Sequence, residues 1–243
     1  EDYINQHYVI MATKKGQVKK TPLEQYSRPR TNGINAITIK EGDELLEAKL
    51  TTGDSQVMLA VRSGKAIRFE EEKTRPMGRN ASGVRGIRLA DDADEVVGMI
   101  AINDTASEIL VVSENGYGKR SSIEDYRITK RGGKGVKTIS VTDKTGKLVA
   151  IKNVIDSDDL MIINKSGIAI RMAVDSLRVM GRATQGVRLI KVREDDSIAA
   201  VAKVMREDDP ELDESLQDAD SQNTPVDVSG AEATAEQTST EEE

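Results

Sequence analysis

The chain has 243 residues, with 35 Lys and Arg against 42 Asp and Glu, a formal net charge of −7, one His, no Cys, no Trp and one Phe. With no thiol and only His7 as an imidazole, the usual ligands for a disulfide framework, a zinc finger or an iron–sulfur site are missing, and a Ser–His or Cys–His nucleophile has almost nothing to draw on. No apolar run reaches the roughly 18 residues that a membrane-spanning helix needs.

Taken in chain order, the sequence divides into four similar units and a tail. The first unit, 8–52, opens with the apolar run Tyr8-Val9-Ile10-Met11, turns at Gly16, carries a second glycine at Gly33 and then alternates at Ile37 and Ile39. Its last stretch, Glu44–Leu50, has helix-forming residues at helical spacing. Its counterparts in later units, Val96–Ile100 and Leu148–Ile151, read as strands, so a strand is predicted here too. The second unit, 53–104, repeats the pattern with Val57–Val61, Gly64, Gly83 and Ile87/Leu89. The third, 105–156, has Ile109–Val112, Gly116, Gly135 and Ile139/Val141, and the fourth, 157–206, has Leu160–Ile163, Gly167, Gly186 and Ile190/Val192. A period near 50 residues built from short β-branched runs and Gly turns predicts an all-β, propeller-like array of blades rather than a helical solenoid. The tail, 207–243, holds 14 acidic residues and no Lys or Arg, and it is poor in large apolar groups. It is predicted to be disordered and leaves 35 basic against 28 acidic residues in 1–206.

The positive charge recurs with the repeat. Four residues after each first glycine stands Lys20, Arg68, Arg120 or Arg171, with Lys19 and Lys119 immediately before two of them. Ahead of each second glycine come Arg28 and Arg30, then Arg79, then Lys130, Arg131 and Lys134, then Arg182. Two residues past it come Asn35, Arg85, Lys137 and Arg188. Equivalent loops of units arranged about an axis fall on one rim, so these residues predict a curved cationic band that suits the phosphates of a bent duplex. Six Phe and Tyr in all argue against a single-strand binder, which stacks bases on aromatic rings. In the loop Thr129–Gly135, the glycines Gly132, Gly133 and Gly135 let backbone N–H groups approach a phosphate while Lys130, Arg131 and Lys134 supply charge. A nucleotide P-loop does not fit, because that motif would need Gly at Ile128 and a hydroxyl at Gly135. The paired acids Asp91-Asp92 and Asp158-Asp159 follow strands in polar turns and have no companion acid or base nearby, so no catalytic residue is assigned. The tail's carboxylates, tethered beside a basic rim, are candidates for occupying it as a phosphate mimic.

The stretches Gly16–Thr21, Met77–Arg79, Ser82–Leu89, Asn115–Arg120 and Gly181–Val187 resemble the C-terminal domain of DNA gyrase A, and the likeness covers nearly all of 1–206. That resemblance implies a β-pinwheel, a propeller variant whose neighbouring blades exchange a strand, with four of an expected six blades present. It further implies wrapping of double-stranded DNA, which gives direction to ATP-dependent negative supercoiling by a type II topoisomerase. ATP and Mg2+ would be used elsewhere in a heterotetramer of gyrase A with gyrase B, in the cytoplasm and without a membrane partner. The family's first-blade box, Gln-Arg-Arg-Gly-Gly-Lys-Gly, has no intact copy; Thr129–Gly135 matches five of its seven positions but lies in the third unit. The chain begins at Glu1 without a leader pattern and is expected to be part of a longer cytoplasmic protein, with unpaired strands exposed at the first unit. The competing readings are the corresponding domain of topoisomerase IV and a propeller scaffold for protein partners, the latter disfavoured by the shortage of aromatic anchors.

Overall fold

The computed structural model describes residues 2–103 and 106–205; the acidic stretch 207–243 and its expected disorder lie outside the described residues. After a short helical turn at Asp2–Asn5, the described residues form four antiparallel sheets. The first unit supplies β1 (Tyr8–Thr13), β2 (Gln17–Pro22) and β3 (Leu45–Thr51); the second supplies β4 (Gln56–Val61), β5 (Lys65–Glu70), β6 (Val84–Arg85) and β7 (Val96–Ile102). The third supplies β8 (Glu108–Ser113), β9 (Tyr117–Ser122), β10 (Val136–Lys137) and β11 (Leu148–Val154). The fourth supplies β12 (Asp158–Asn164), β13 (Ala169–Ala173), β14 (Val187–Arg188) and β15 (Ile198–Met205). The helix-like segment after Glu44 is strand β3, paired along its length with β1 from Tyr8↔Thr51 to Thr13↔Leu45. Sheet context overrides local helix propensity there.

The strand orders are β3-β1-β2-β6, β10-β5-β4-β7, β11-β8-β9-β14 and β13-β12-β15. Each of the first three sheets therefore takes its fourth strand from the following unit: β6 pairs with β2, β10 with β5 and β14 with β9. Among the described residues the last sheet has three strands, and no fourth pairs with the outer side of β13. The expectation of open strands at the first unit is thus corrected. Strands pass backward along the chain, so the first sheet is filled by the second unit, and the sheet left without a donor among the described residues is the last.

The central strands are buried on both faces, and their two faces belong to different cores. Val57, Leu59 and Val61 of β4 pack toward Ile10, Ala12 and Val18 of the first sheet, while Met58 and Ala60 pack toward Ile109, Val111 and Tyr126 of the third unit. Leu110 and Val112 of β8 face the fourth unit's Leu160, Ile162 and Val174. The period-2 alternation of side chains along a strand thus divides one continuous apolar run between two neighbours, which is why these strands show no polar face in the sequence.

Donation also explains the second glycine series. Gly186 has φ +80°, and a Cβ there would sit 2.4 Å from the carbonyl oxygen of Gly118 on β9. Gly33, at the same repeat position with φ +79°, meets nothing within 4 Å, because its unit has no preceding sheet to join among the described residues. Gly186→Ala is expected to cost about 3 kcal/mol or more, combining left-handed strain with a backbone clash, and Gly33→Ala about 1 kcal/mol from strain alone. Urea unfolding of the two variants beside the parent checks this, and equal losses would contradict it.

Candidate functional site

The repeated cations separate into two groups by depth. Lys20, Arg68 and Arg120, four residues after their glycines, are buried, and each reaches across to the turn of the following unit. Arg68 donates through Nε to Gln56 Oε1 at 2.8 Å and through Nη1 to the carbonyl oxygens of Ile123 and Tyr126, both at 2.9 Å. Arg120 donates to the Leu177 carbonyl and pairs with Asp156 and with Glu108 at 3.0 Å. The Lys20 ammonium stands 3.6 Å from the buried Glu71 carboxylate, which also accepts from Thr51 Oγ1 at 2.7 Å. Parallel bridges Lys20↔Pro76, Arg68↔Ile128 and Arg120↔Val179 run alongside, so backbone and side chain fasten each unit to the next at the same point. Lys19 and Lys119 are fully covered as well, with loop carbonyls as hydrogen-bond acceptors. These five residues, expected on the cationic rim, are interior, and the donors named above bond within the protein. Arg171, the fourth-unit counterpart, is exposed and donates to Asp159 Oδ2 at 2.7 Å, with no following unit described to receive it.

The second group lies outside. Arg85, Lys130, Lys134, Lys137 and Arg188 are exposed, and Arg79, Arg131 and Arg182 are half-buried. One bond recurs at each junction: Arg79 Nη1 donates to the Asn35 carbonyl at 3.2 Å, Arg131 Nη1 to the Arg85 carbonyl and Arg182 Nη1 to the Lys137 carbonyl at 2.5 Å. The loop arginine is thereby held beside Asn35 at the first junction and beside the donated strands β6 and β10 at the next two. Arg131 is set next to Arg85, and Arg182 next to Lys137, as neighbouring cations at two successive junctions. Arg28 and Arg30 are exposed in the first unit, upstream of this series.

The loop Thr129–Gly135 is seated by backbone bonds. Thr129 N–H donates to the Arg68 carbonyl at 2.8 Å, Gly132 N–H to Gly86 at 2.7 Å, and Gly133 accepts from Arg88 N–H at 2.8 Å. Its basic side chains therefore stand on a fixed backbone while Lys130 and Lys134 remain exposed. Arg88 and Lys191, both five residues past a second-series glycine, are exposed, as is Arg193, and sequence reasoning did not include them. Their equivalents in the other units, Thr38 and Ser140, are uncharged, so the repeat comparison carried no signal. Tyr117, read as a packing residue, is nearly buried, with Lys144 and Arg188 each 5.5 Å from its ring centroid and its hydroxyl accepting from Arg188 at 2.9 Å. Among the described residues no cluster of acidic or imidazole side chains could hold a metal ion, and no helix is long and apolar enough to cross a membrane.

The family description "DNA gyrase C-terminal domain, beta-propeller" matches residues 7–52, 56–103, 107–155 and 158–205. The chain belongs to the DNA gyrase C-terminal domain family. Curated relatives include DNA gyrase A of Staphylococcus epidermidis, 44% identical over 203 residues that make up 83% of this chain and 23% of the relative. DNA gyrase A of Staphylococcus aureus is 43% identical over 87% of this chain and 24% of the relative. The chain thus spans about a quarter of the length of these relatives. Among solved structures, a C-terminal domain of DNA topoisomerase IV aligns with a TM-score of 0.79 at 24% identity, covering 88% of this chain and 67% of that one. A DNA gyrase A C-terminal domain aligns at 0.73 and 24%, covering 83% and 67%. Those two likenesses establish the fold, and the strand exchange between blades is the β-pinwheel arrangement of the gyrase family.

The interior group makes two stability predictions. Arg68→Met removes the buried guanidinium's bonds to the Tyr126 carbonyl, to Gln56 and to the Ile123 carbonyl, which keeps the Tyr126 N–H, and is expected to cost about 2–4 kcal/mol in urea unfolding, while Lys134→Ala, on the surface, should change stability by less than about 0.5 kcal/mol. Burial, reinforced by the nearby Arg79, pulls the Lys19 ammonium down to about 8. Burial and Arg182, opposed by Asp125, bring Lys119 to about 8 as well. Both folded values lie below 10.5, so between about pH 8 and 10.5 the unfolded chain binds more protons than the folded one, and these residues make stability rise with pH. Unfolding at pH 7.5 and 9.5 should show that rise reduced in Lys119→Met.

Proposed function

We propose that this chain wraps duplex DNA along its outer cationic edge as the C-terminal domain of a gyrase A protein. What supports the reading is the recurring junction bond, which turns loop cations that are distant in sequence into neighbours at successive unit boundaries. Charges spaced along an edge engage backbone phosphates, so binding draws its affinity from counterion release and carries little base readout. Smoothly bending 20–30 bp of DNA costs roughly 1–6 kcal/mol, and that cost is offset by many modest contacts rather than by one strong one.

Within the whole enzyme, the wrap presents a neighbouring DNA segment to the strand-passage gate with a set handedness, which gives ATP-dependent supercoiling its direction. Cleavage and ATP hydrolysis with Mg2+ belong to the rest of gyrase A and to gyrase B, assembled as a heterotetramer in the cytoplasm with the chromosome. The level of identity to relatives named as gyrase favours gyrase over topoisomerase IV. Supercoiling of relaxed plasmid by an intact enzyme carrying this domain separates the two.

Eight cations stand on the edge: Arg79, Arg85, Lys130, Arg131, Lys134, Lys137, Arg182 and Arg188. If all eight meet phosphates, log K falls against log salt with a slope of about −7. Replacing Lys130, Arg131 and Lys134 with Ala should make the slope shallower by about 2.7, equally for unrelated DNA sequences. Fluorescence anisotropy with linear duplex measures both quantities, and a slope near zero for the parent would end the proposal.

A further inference from the structure

Lys19 and Lys119 occupy equivalent positions, three residues after the first glycines of the first and third units, and both side chains are fully covered. The Lys19 ammonium donates to the carbonyls of Ala36 and Arg79, both at 2.5 Å; that of Lys119 donates to the carbonyl of Gly181 at 2.6 Å and to that of Arg182. Neither has a carboxylate within ion-pair distance among the described residues, so the charge is held by backbone oxygens alone. A buried ammonium without a counterion is costly. The fold does not require it: the second and fourth units place Ile67 and Ile170 at the same position.

The difference follows the loop lying above. Over Ile67 runs Thr129–Gly135, whose Gly132 has φ +82° and whose backbone bonds to Gly86 and Arg88 fix its course. The loops over the lysines, Gly78–Gly83 and Gly181–Gly186, lack glycine at the two central positions and have Asn80-Ala81 and Ala183-Thr184 there instead. One loop is shaped by glycine, the other two by a buried charge beneath them. In a planar trans peptide the N–H points opposite to the C=O. Drawing the Arg79 carbonyl inward therefore turns the Asn80 N–H outward, and drawing in the Arg182 carbonyl does the same for Ala183; both residues are exposed.

We propose that Lys19 and Lys119 are positioning residues for DNA binding: each draws loop carbonyls inward, so that the following N–H groups and the loop arginines, Arg79 and Arg182, face the phosphates. This rests on the duplex-wrapping reading above. Beside Lys19 stand the Arg79 guanidinium and Tyr26, whose hydroxyl donates to the same Ala36 carbonyl. Beside Lys119 stand Asp125 and Arg182, with Asp125 also accepting from the Arg182 N–H at 3.3 Å, and the buried Tyr126 follows on the same turn. Loss of the ammonium proton as pH passes about 8 relaxes the pull on the carbonyls, so DNA affinity falls over the same range in which stability gains. A side chain acting only in the fold would move stability and leave the pH profile of binding flat.

The test compares this chain with Lys19→Met/Lys119→Met and with Lys19→Ile/Lys119→Ile, the latter copying the second and fourth units. Duplex affinity is read by anisotropy from pH 7 to 9 at fixed salt, alongside urea unfolding and amide exchange without DNA at Ala81 and Thr184, whose N–H groups donate within the loops to the Gly78 and Gly181 carbonyls at 3.1 and 3.2 Å. The expected result is parent affinity falling several-fold across that range, variants weaker by about tenfold at pH 7 with a flat profile, and faster exchange in both loops under conditions where urea unfolding shows the variants folded. Equal affinities and equal pH profiles for parent and variants would overturn the inference. If neither variant folds, the parent alone decides, since affinity constant from pH 7 to 9 also overturns it. A parent that fails to bind duplex at any pH instead removes the wrapping reading itself.

Discussion

Among the described residues, no unit completes a four-stranded sheet from its own strands. The first three sheets are closed by a two-residue strand that belongs to the next unit, and this borrowed strand is reached through a left-handed glycine pressed against the preceding unit's backbone. The apolar cores obey the same rule, since β4 and β8 bury one face in each of two neighbouring cores. Folding of one unit is thereby coupled to the next, as in other repeat proteins whose stability resides partly in interfaces.

That coupling decides what each cation does. Arg68, Arg120 and Lys20 sit where consecutive units meet, satisfying turn carbonyls or a buried carboxylate, and they act as fasteners. Arg79, Arg131 and Arg182 bridge the same junctions from outside: Arg79 ties Nη1 to a carbonyl of the preceding unit, and Arg131 and Arg182 each tie both Nη1 and Nε to carbonyls there, leaving Nη2 over. A planar guanidinium with five donors is suited to holding the protein with one part and a phosphate with another.

Much of this was readable from the sequence. Two glycine series at near-constant spacing revealed four units and an all-β array, because only glycine tolerates the left-handed turn and the close backbone approach. The strand after Glu44 was legible only by comparison with its counterparts. The depth of the basic residues was not legible. Lys19 and Lys20 look like any surface pair, and in a short strand inside and outside alternate every residue unless a borrowed neighbour covers both faces. The direction of strand exchange was hidden for a similar reason: Val-Arg or Val-Lys pairs as short as β6, β10 and β14 show no preference for their own sheet or another.

The junction bond between a loop arginine and the preceding carbonyl has an arithmetical consequence. A solitary repeat owns half of two such bonds and the whole of none, so on the proposed wrapping reading the elementary binding element is the seam between repeats. Four repeats furnish three such seams, and lengthening the array by one copy adds one more. Grip on a polyanion would then grow by whole increments as the gene duplicates internally, with every new increment already aligned to the last.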